Sequence, residues 1–359
     1  MLKKFALNKK NHNRDCFRDS NRGVAGKKRD NTDQDLGLAA RAAWLSYIGG
    51  HTQSEIAARL QVSPAKAHRL IAQALDQGLV KVFIEGAPEE CLELETELAR
   101  SFGLRSCHVA PDLDDDGNSQ PGSSFTAVGA SAARYLHGLI EQSGPAMIGV
   151  GKGRSLAAMV QNLPTISRPD IKFVSVSGSL TRNLSANPYD VVHKLVEKTG
   201  GEGYFLPVPY IAGSVKEKQT LLTHSSVQDL LDLARQADIY VIGVGTLEGD
   251  AHVRQVGMVS EDEWQELRGL GAVGDVMGSF VDADGVPVNS EVNEHSVGLH
   301  IDDLKGRPVV AVVGGDSKGD AVMGALNTGI ITDLILGERS ARHIASQLQA
   351  QDNLKRQAG

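Results

Sequence analysis

Seven short apolar runs recur between residues 107 and 336, separated by stretches whose apolar residues follow helical spacing. This alternation restricts the fold more than any other feature. The runs are CHVAP, AMIGV, IKFVSVSG, GYFLPVP, DIYVIGVG, PVVAVVGG and ITDLIL. Between or after them lie FTAVGASAARYLHGLI, RSLAAMVQNL, YDVVHKLVEKTG, SVQDLLDLARQ, EDEWQELRGL, KGDAVMGALNTG and ERSARHIASQL. Apolar strands alternating with amphipathic helices predict a mostly parallel sheet covered on both faces, an α/β domain over residues 105–350. GSFVDADGVPV reads separately as a hairpin closed by a tight Asp-Gly turn. The acidic stretch 112–123 reads as a loop.

In open sheets of this kind ligands sit beyond the carboxyl ends of the strands. Three strand-to-helix turns have that placement. Gly151-Lys152-Gly153-Arg154-Ser155 follows AMIGV. Its glycines let backbone N–H groups approach an anion, the following helix favours negative charge, and Lys152, Arg154 and Ser155 add contacts. The spacing fits neither the P-loop nor the dinucleotide fingerprint, so a small phosphorylated ligand fits better than a nucleotide. Gly314-Gly315-Asp316-Ser317-Lys318 is a second such turn, where Lys318 can meet a phosphate or a sugar hydroxyl. The third is SVSGSLTRN, with Gly178, Ser179 and Arg182. Asp275, among small residues in GAVGDVMG, can accept from hydroxyls.

The front of the chain differs. LGLAARAAWLSYIGG is helical and stops at a glycine pair. Thr52-Gln53-Ser54-Glu55 is a capping box, followed by one apolar face of Ile56, Ala57 and Leu60. Gln61-Val62-Ser63 breaks that helix, and Ser63-Pro64 starts another that buries Ala67, Leu70, Ile71 and Ala74. Two short helices joined by three residues form a helix-turn-helix, whose second helix enters the major groove. The DNA-facing candidates are Thr52, Gln53, Ser63, Ala65, Lys66, His68, Arg69 and Gln73, with Lys66 and Arg69 able to reach guanine edges or phosphates. The other reading of this module is a small helical unit that binds protein. LVKVFIEG (79–86) is a strand-like wing or the exit from the helical unit, and residues 87–104, with Leu92, Leu94 and Leu98, read as a linker helix. The DNA-binding domain is placed at 37–86, winged if the strand forms.

Charge is unevenly shared. Residues 1–36 carry ten Lys/Arg against five Asp, a net of +5 that leaves −12 for the rest of a chain whose total is −7. This polar, Asn-rich tail is expected to be disordered, either solvated or touching DNA phosphates. No apolar run is long enough to span a bilayer and no secretion signal is evident, which excludes a membrane partner and suggests the cytoplasm. Three scattered cysteines make neither a disulfide framework nor a zinc site. No metal and no cofactor are expected.

Together, TQSEIAARLQVSPAKAHRLI, GVGKGRSL, SGSLTRNLSANPYDVVHKL, LRGLGAVGDVMGSFVDADG and VVGGDSKGDAVMGAL resemble the SorC/DeoR-type sugar-responsive bacterial transcriptional regulators, over about Ala39–Ala345. NPYDVVHKL and AAWLSY are most similar to regulators of erythritol-type polyol catabolism. The resemblance implies a DNA-binding domain joined to an effector domain related in fold to sugar-phosphate isomerases, deaminases and CoA transferases. It also implies dimers or tetramers on palindromic operators. By motif, residues 151–155 would hold a phosphate, Asp275 and Lys318 the sugar body or phosphate, and Gly178–Ser179 the cavity wall. Arg154-Ser155 stands where some members have two hydroxyl residues, making the contact more ionic here. The expected function is a regulator, most simply a repressor, of a carbohydrate or polyol operon. Its partners are operator DNA and a phosphorylated sugar or polyol. The alternative is a sugar-phosphate isomerase or deaminase, which needs a positioned base and acid. Glu248, Asp250, His252 and Asp275 supply these only loosely, so no catalytic residue is assigned.

Overall fold

The computed structural model describes residues 26–113, 123–141, 144–181, 187, 189–249, 251–315 and 318–358. Most of the basic tail and of the acidic loop, together with Arg182, Asp250, Asp316 and Ser317, lies outside the described residues. The chain divides into two compact units, Met1–Val80 and Lys81–Gly359.

In the first unit, α1 (Gly26–Ala43) runs into a π-helical turn, Trp44–Ile48. Residues 26–36, expected to be disordered, are therefore helical. They contain no proline, and the helix set by Leu38, Ala39 and Ala42 extends back through them. Next come α2 (Gln53–Leu60) and α3 (Pro64–Asp76). The capping box forms at the start of α2: Thr52 N donates to Glu55 Oε2 at 2.8 Å, and Glu55 N to Thr52 Oγ1 at 3.4 Å. Ser63 Oγ accepts from Lys66 N at 3.2 Å, capping α3. Between them Gln61 adopts a left-handed conformation, φ 53° and ψ 43°. The core is made of small residues: Ala39, Ala42, Ala43, Ala57, Ala67 and Ala74 pack with Ile56 and Leu70, so the helices cross closely.

The expected wing is absent. Residues 79–86 form no strand, because no second run pairs with them and a lone strand leaves its backbone groups unsatisfied. From Lys81 onward this segment is fastened to the second unit instead. Lys81 Nζ donates to Gln161 O, and Arg134 Nη1 donates to Ile84 O at 3.2 Å. The division between units accordingly falls after Val80, not Gly86. The expected linker helix is also part of the second unit. In α4 (Glu89–Phe102), Cys91, Leu94 and Leu98 form the buried i, i+3, i+7 stripe, while Leu92 is 48% exposed.

All seven apolar runs become strands: β1 (Ser106–Ala110), β2 (Met147–Val150), β3 (Lys172–Ser175), β4 (Glu202–Tyr204), β5 (Ile239–Thr246), β8 (Val309–Val313) and β9 (Asp333–Gly337). They form one parallel sheet in the order β1-β9-β8-β5-β2-β3-β4. Successive side chains point to opposite faces. Val150, Phe173, Val241 and Val312 pack under α5 (Ser123–Glu141), α6 (Arg154–Asn162) and α7 (Val192–Thr199). Val174, Ile242, Ala311 and Leu336 pack into the opposite core, with α4 and the helices α9 (Ser225–Arg235), α13 (Gly319–Asn327) and α14 (Glu338–Ala358).

Two further strands, β6 (Gly274–Val276) and β7 (Ser279–Val281), form an antiparallel hairpin on the end of β5. Its turn is Met277-Gly278; the Asp-Gly turn lies one step further on, closed by a Val281–Pro287 bridge. Trp264 and Phe280 anchor a third apolar cluster. Among the described residues three short α-helices, α8 (Val215–Thr223), α10 (His252–Gln255) and α12 (Glu291–His295), and a 3-10 turn, Ile301–Leu304, escaped the sequence reading. One expected helix is α11 (Glu261–Gly269). No helix among the described residues is long and apolar enough to cross a membrane.

Candidate functional site

The chain runs outward from β2 to β3 and β4, then returns to lay β5 on the other side of β2, and β8 beyond it. That reversal is the switch point where open sheets leave a crevice. The turns after β2 and β8 flank the end of β5, and a cavity of about 60 Å³ opens between them. Unliganded, the space holds only a few water molecules. Lys152, Arg154, Ser155, Asp275 and Lys318 line it, joined by Tyr210 and His252.

Each turn brings basic side chains to the cavity. Gly151 N donates to Val241 O at 2.9 Å, and Gly153 sits at φ 128°, a conformation that favours glycine, so α6 begins at Arg154 with its first turn at the cavity. Ser155 is 4% exposed, and its Oγ accepts from Gly314 N at 2.9 Å, tying the two turns together. Arg154 lies over the ring of Phe125, 4.9 Å from its centroid. Lys318, 8% exposed, donates from Nζ to Val244 O at 2.9 Å.

Lys152 donates to Gly178 O and lies 3.7 Å over the Tyr210 ring. Burial lowers its ammonium to about 7, against the opposing pull of Asp190 and Asp275. Asp275 is 6% exposed. Its carboxylate accepts from Tyr210 OH at 3.0 and 3.1 Å and from Gly278 N at 2.7 Å. Burial nevertheless pushes it up to about 6, with those hydrogen bonds and the Lys152 and Lys318 charges pulling the other way.

The structure thus gathers Gly151, Lys152, Gly153, Arg154, Ser155, Asp275 and Lys318 around one cavity. Gly178 and Ser179 are not among its lining; Ser177 is, while Ser179 Oγ donates to Leu206 O at 3.0 Å. Gly178 contributes its carbonyl to Lys152, and a Cβ there would stand 2.2 Å from Pro209 O. Tyr210 escaped the sequence reading because it follows a run valued only for strand propensity, 65 positions from its partner Asp275. No cluster of three or more His, Cys, Asp or Glu capable of holding a metal ion occurs among the described residues.

On the first unit, Ala65, His68 and Arg69 are exposed on α3 and Gln53 is exposed on α2. Lys66 lies 3.8 Å from Asp35, and Gln73 is half-buried. The Thr52 and Ser63 hydroxyls are occupied as helix caps.

Residues 87–346 match the family model described as "Putative sugar-binding domain". The chain belongs to the sugar-binding-domain family of transcriptional regulators. It is 38% identical over 315 residues to the erythritol catabolism regulatory protein EryD of Brucella abortus, covering 88% of this chain and 98% of that one. It is 32% identical over 310 residues to the transcriptional regulator LsrR of Escherichia coli K12, covering 85% and 93%. Its fold matches the full-length sorbitol operon regulator SorC of Klebsiella pneumoniae with a TM-score of 0.63 at 22% identity, over 87% of this chain and 99% of that one. A domain of a possible sugar-binding regulator from Arthrobacter aurescens matches with a TM-score of 0.64 at 29% identity, over 72% and 99%. The sugar-binding-domain match encloses the whole cavity and begins at Ala87, so it takes in α4, which was expected to lie outside that domain. Such relatives are regulators, not isomerases or deaminases, and the enzyme reading gives way.

Proposed function

We propose that the protein represses a carbohydrate or polyol catabolic operon, that α2 and α3 form a helix-turn-helix on operator DNA, and that a phosphorylated sugar or polyol in the cavity controls it. The observation that carries the reading is the convergence of Lys152, Arg154 and Lys318 with one buried carboxylate, Asp275, where two glycine turns meet. The phosphate belongs at the first turn of α6, which Arg154 opens. Asp275 faces the hydroxyls. The relative named for erythritol catabolism favours a short polyol phosphate. The isomerase-related architecture implied by the resemblance would supply the grip without turnover. Asp275 is committed to Tyr210 and Gly278 and is poorly placed as a free base.

Regulation needs the effector to bind the DNA-bound and free states differently, by a coupling of about 1–3 kcal/mol. One helix-turn-helix reads about a half-site, so a dimer or tetramer is the working unit. Two variants test the division of labour, using DNA mobility shifts and ligand-induced melting shifts. Arg69→Ala weakens operator binding about tenfold or more and leaves ligand affinity intact; Arg154→Ala does the reverse. Normal behaviour of both variants would overturn the residue assignment, and consumption of the ligand would restore the enzyme.

A further inference from the structure

One polar side chain in the cavity has no task in the reading above. His252 opens α10 beyond the end of β5 and lines the same space as Arg154 and Asp275. Both its ring nitrogens are buried, and neither has a hydrogen-bond partner among the described residues. The ring is nonetheless held in place. It packs edge-on to Tyr189, with centroids 4.7 Å apart and planes at 86°. The Tyr189 carbonyl in turn accepts from Gly153 N at 3.3 Å, so one residue steadies both the imidazole and the anion-facing turn.

Buried polar atoms are rarely left unbonded in a folded protein. Two on one side chain that lines a cavity and is held by packing point to a partner that arrives with the ligand. The chemistry of that partner follows from the charge of the ring. Burial and the neighbouring Arg154, Lys152 and Lys318 push His252 down to about 4, so at neutral pH it is uncharged and adds no cation to the phosphate grip. A neutral imidazole presents one donor and one acceptor. A fully ionised phosphate or carboxylate offers acceptors only and satisfies one of the two nitrogens. A hydroxyl group both donates and accepts, so a hydroxylated carbon chain satisfies both.

We propose that His252 is a specificity-determining residue that reads the hydroxyl-bearing chain of the effector and selects polyol or sugar phosphates over phosphates without hydroxyls. The inference rests on the effector reading above and adds the discriminating residue. Calorimetric titration of the full-length protein tests it. Glycerol 3-phosphate, erythritol 4-phosphate and ribitol 5-phosphate are each set against propyl, butyl or pentyl phosphate of equal chain length, with inorganic phosphate as the anion alone.

The wild type should prefer its best polyol phosphate over the matching alkyl phosphate by about tenfold or more. His252→Phe keeps the ring and its packing on Tyr189 but removes both nitrogens. It should bring that ratio close to one while leaving alkyl phosphate and inorganic phosphate binding unchanged. His252→Asn restores a donor and an acceptor and should recover part of the preference. Unliganded His252→Phe should melt no lower than wild type, since no protein hydrogen bond is lost; a purely structural role predicts a lower melting temperature. Retention of the preference in His252→Phe, or its absence in wild type, overturns the assignment while leaving the effector cavity intact. Failure of the wild type to bind any of the seven phosphates overturns the effector reading itself, and His252 falls with it.

Discussion

The α3 face and the cavity at the ends of β2, β5 and β8 both carry basic side chains, one in the open and one in an enclosed mouth. Arg69 and His68 stand exposed on a helix whose core is six alanines around one isoleucine and one leucine. Lys152, Lys318 and Asp275 are enclosed by a nine-stranded sheet with cores on both faces. Charges in the open are screened by salt, whereas burial displaces the ionisation of Lys152 and Asp275. A surface that must meet many phosphates needs reach, whereas a cavity that must distinguish metabolites needs fixed, dehydrated groups. The stability behind each surface differs as well, since a small unit buries a smaller fraction of its area.

The sharpest way to break this contrast is to open a cavity in the smaller core. Leu70→Ala should cost about 3 kcal/mol, enough to unfold the first unit. Differential scanning calorimetry should then show the transition of the larger unit unmoved, with operator binding lost and ligand binding kept. Loss of both functions together would mean that the units are not separable in this way.

A second effect belongs to the cavity alone. With Lys152 lowered to about 7 from the usual 10.5, the unfolded chain binds more protons than the folded one between those values. Stability therefore rises with pH across that window and gains nothing from this group below it. Allowing for the partial exposure of the side chain, urea unfolding should show a gain of about 1–2 kcal/mol between pH 7 and 9, absent in Lys152→Met. Phosphate binding at pH 8 should take up protons, because an anion beside the ammonium restores its charge; calorimetry in buffers of different ionisation heat measures that uptake. The smallest effect lies in the turn between α2 and α3. Gln61→Gly relieves a left-handed non-glycine residue and should stabilise the first unit by about 0.5–1 kcal/mol, read as a rise in its melting temperature.

The same contrast governs what could be read from the sequence. The first unit was legible where local chemistry sets the structure: Thr52-Glu55 and Ser63-Pro64 announce the starts of α2 and α3 whatever packs around them. The seven strands were legible because each is a continuous apolar run between turn residues. Residues 79–86 misled because alternation shows that a strand is possible and says nothing of whether a partner exists. Leu92 misled in α4 because Cys91, equally able to pack, takes the buried stripe with Leu94 and Leu98. Within the cavity, residues carried by glycine-rich turns could be named in advance. Tyr210 and Ser177 could not, since what places them is a chain reversal and a hairpin rather than anything beside them in sequence.

The fastening of Lys81 to Gln161 has a mechanical consequence. Arg154 begins α6 at the cavity, and Gln161 lies near its other end. Nine residues of helix make a rigid rod about 13 Å long. One tip of that rod lines the cavity and the other end holds Lys81, the first residue of the larger unit. A single helix thus ties the cavity mouth to the place where the larger unit begins.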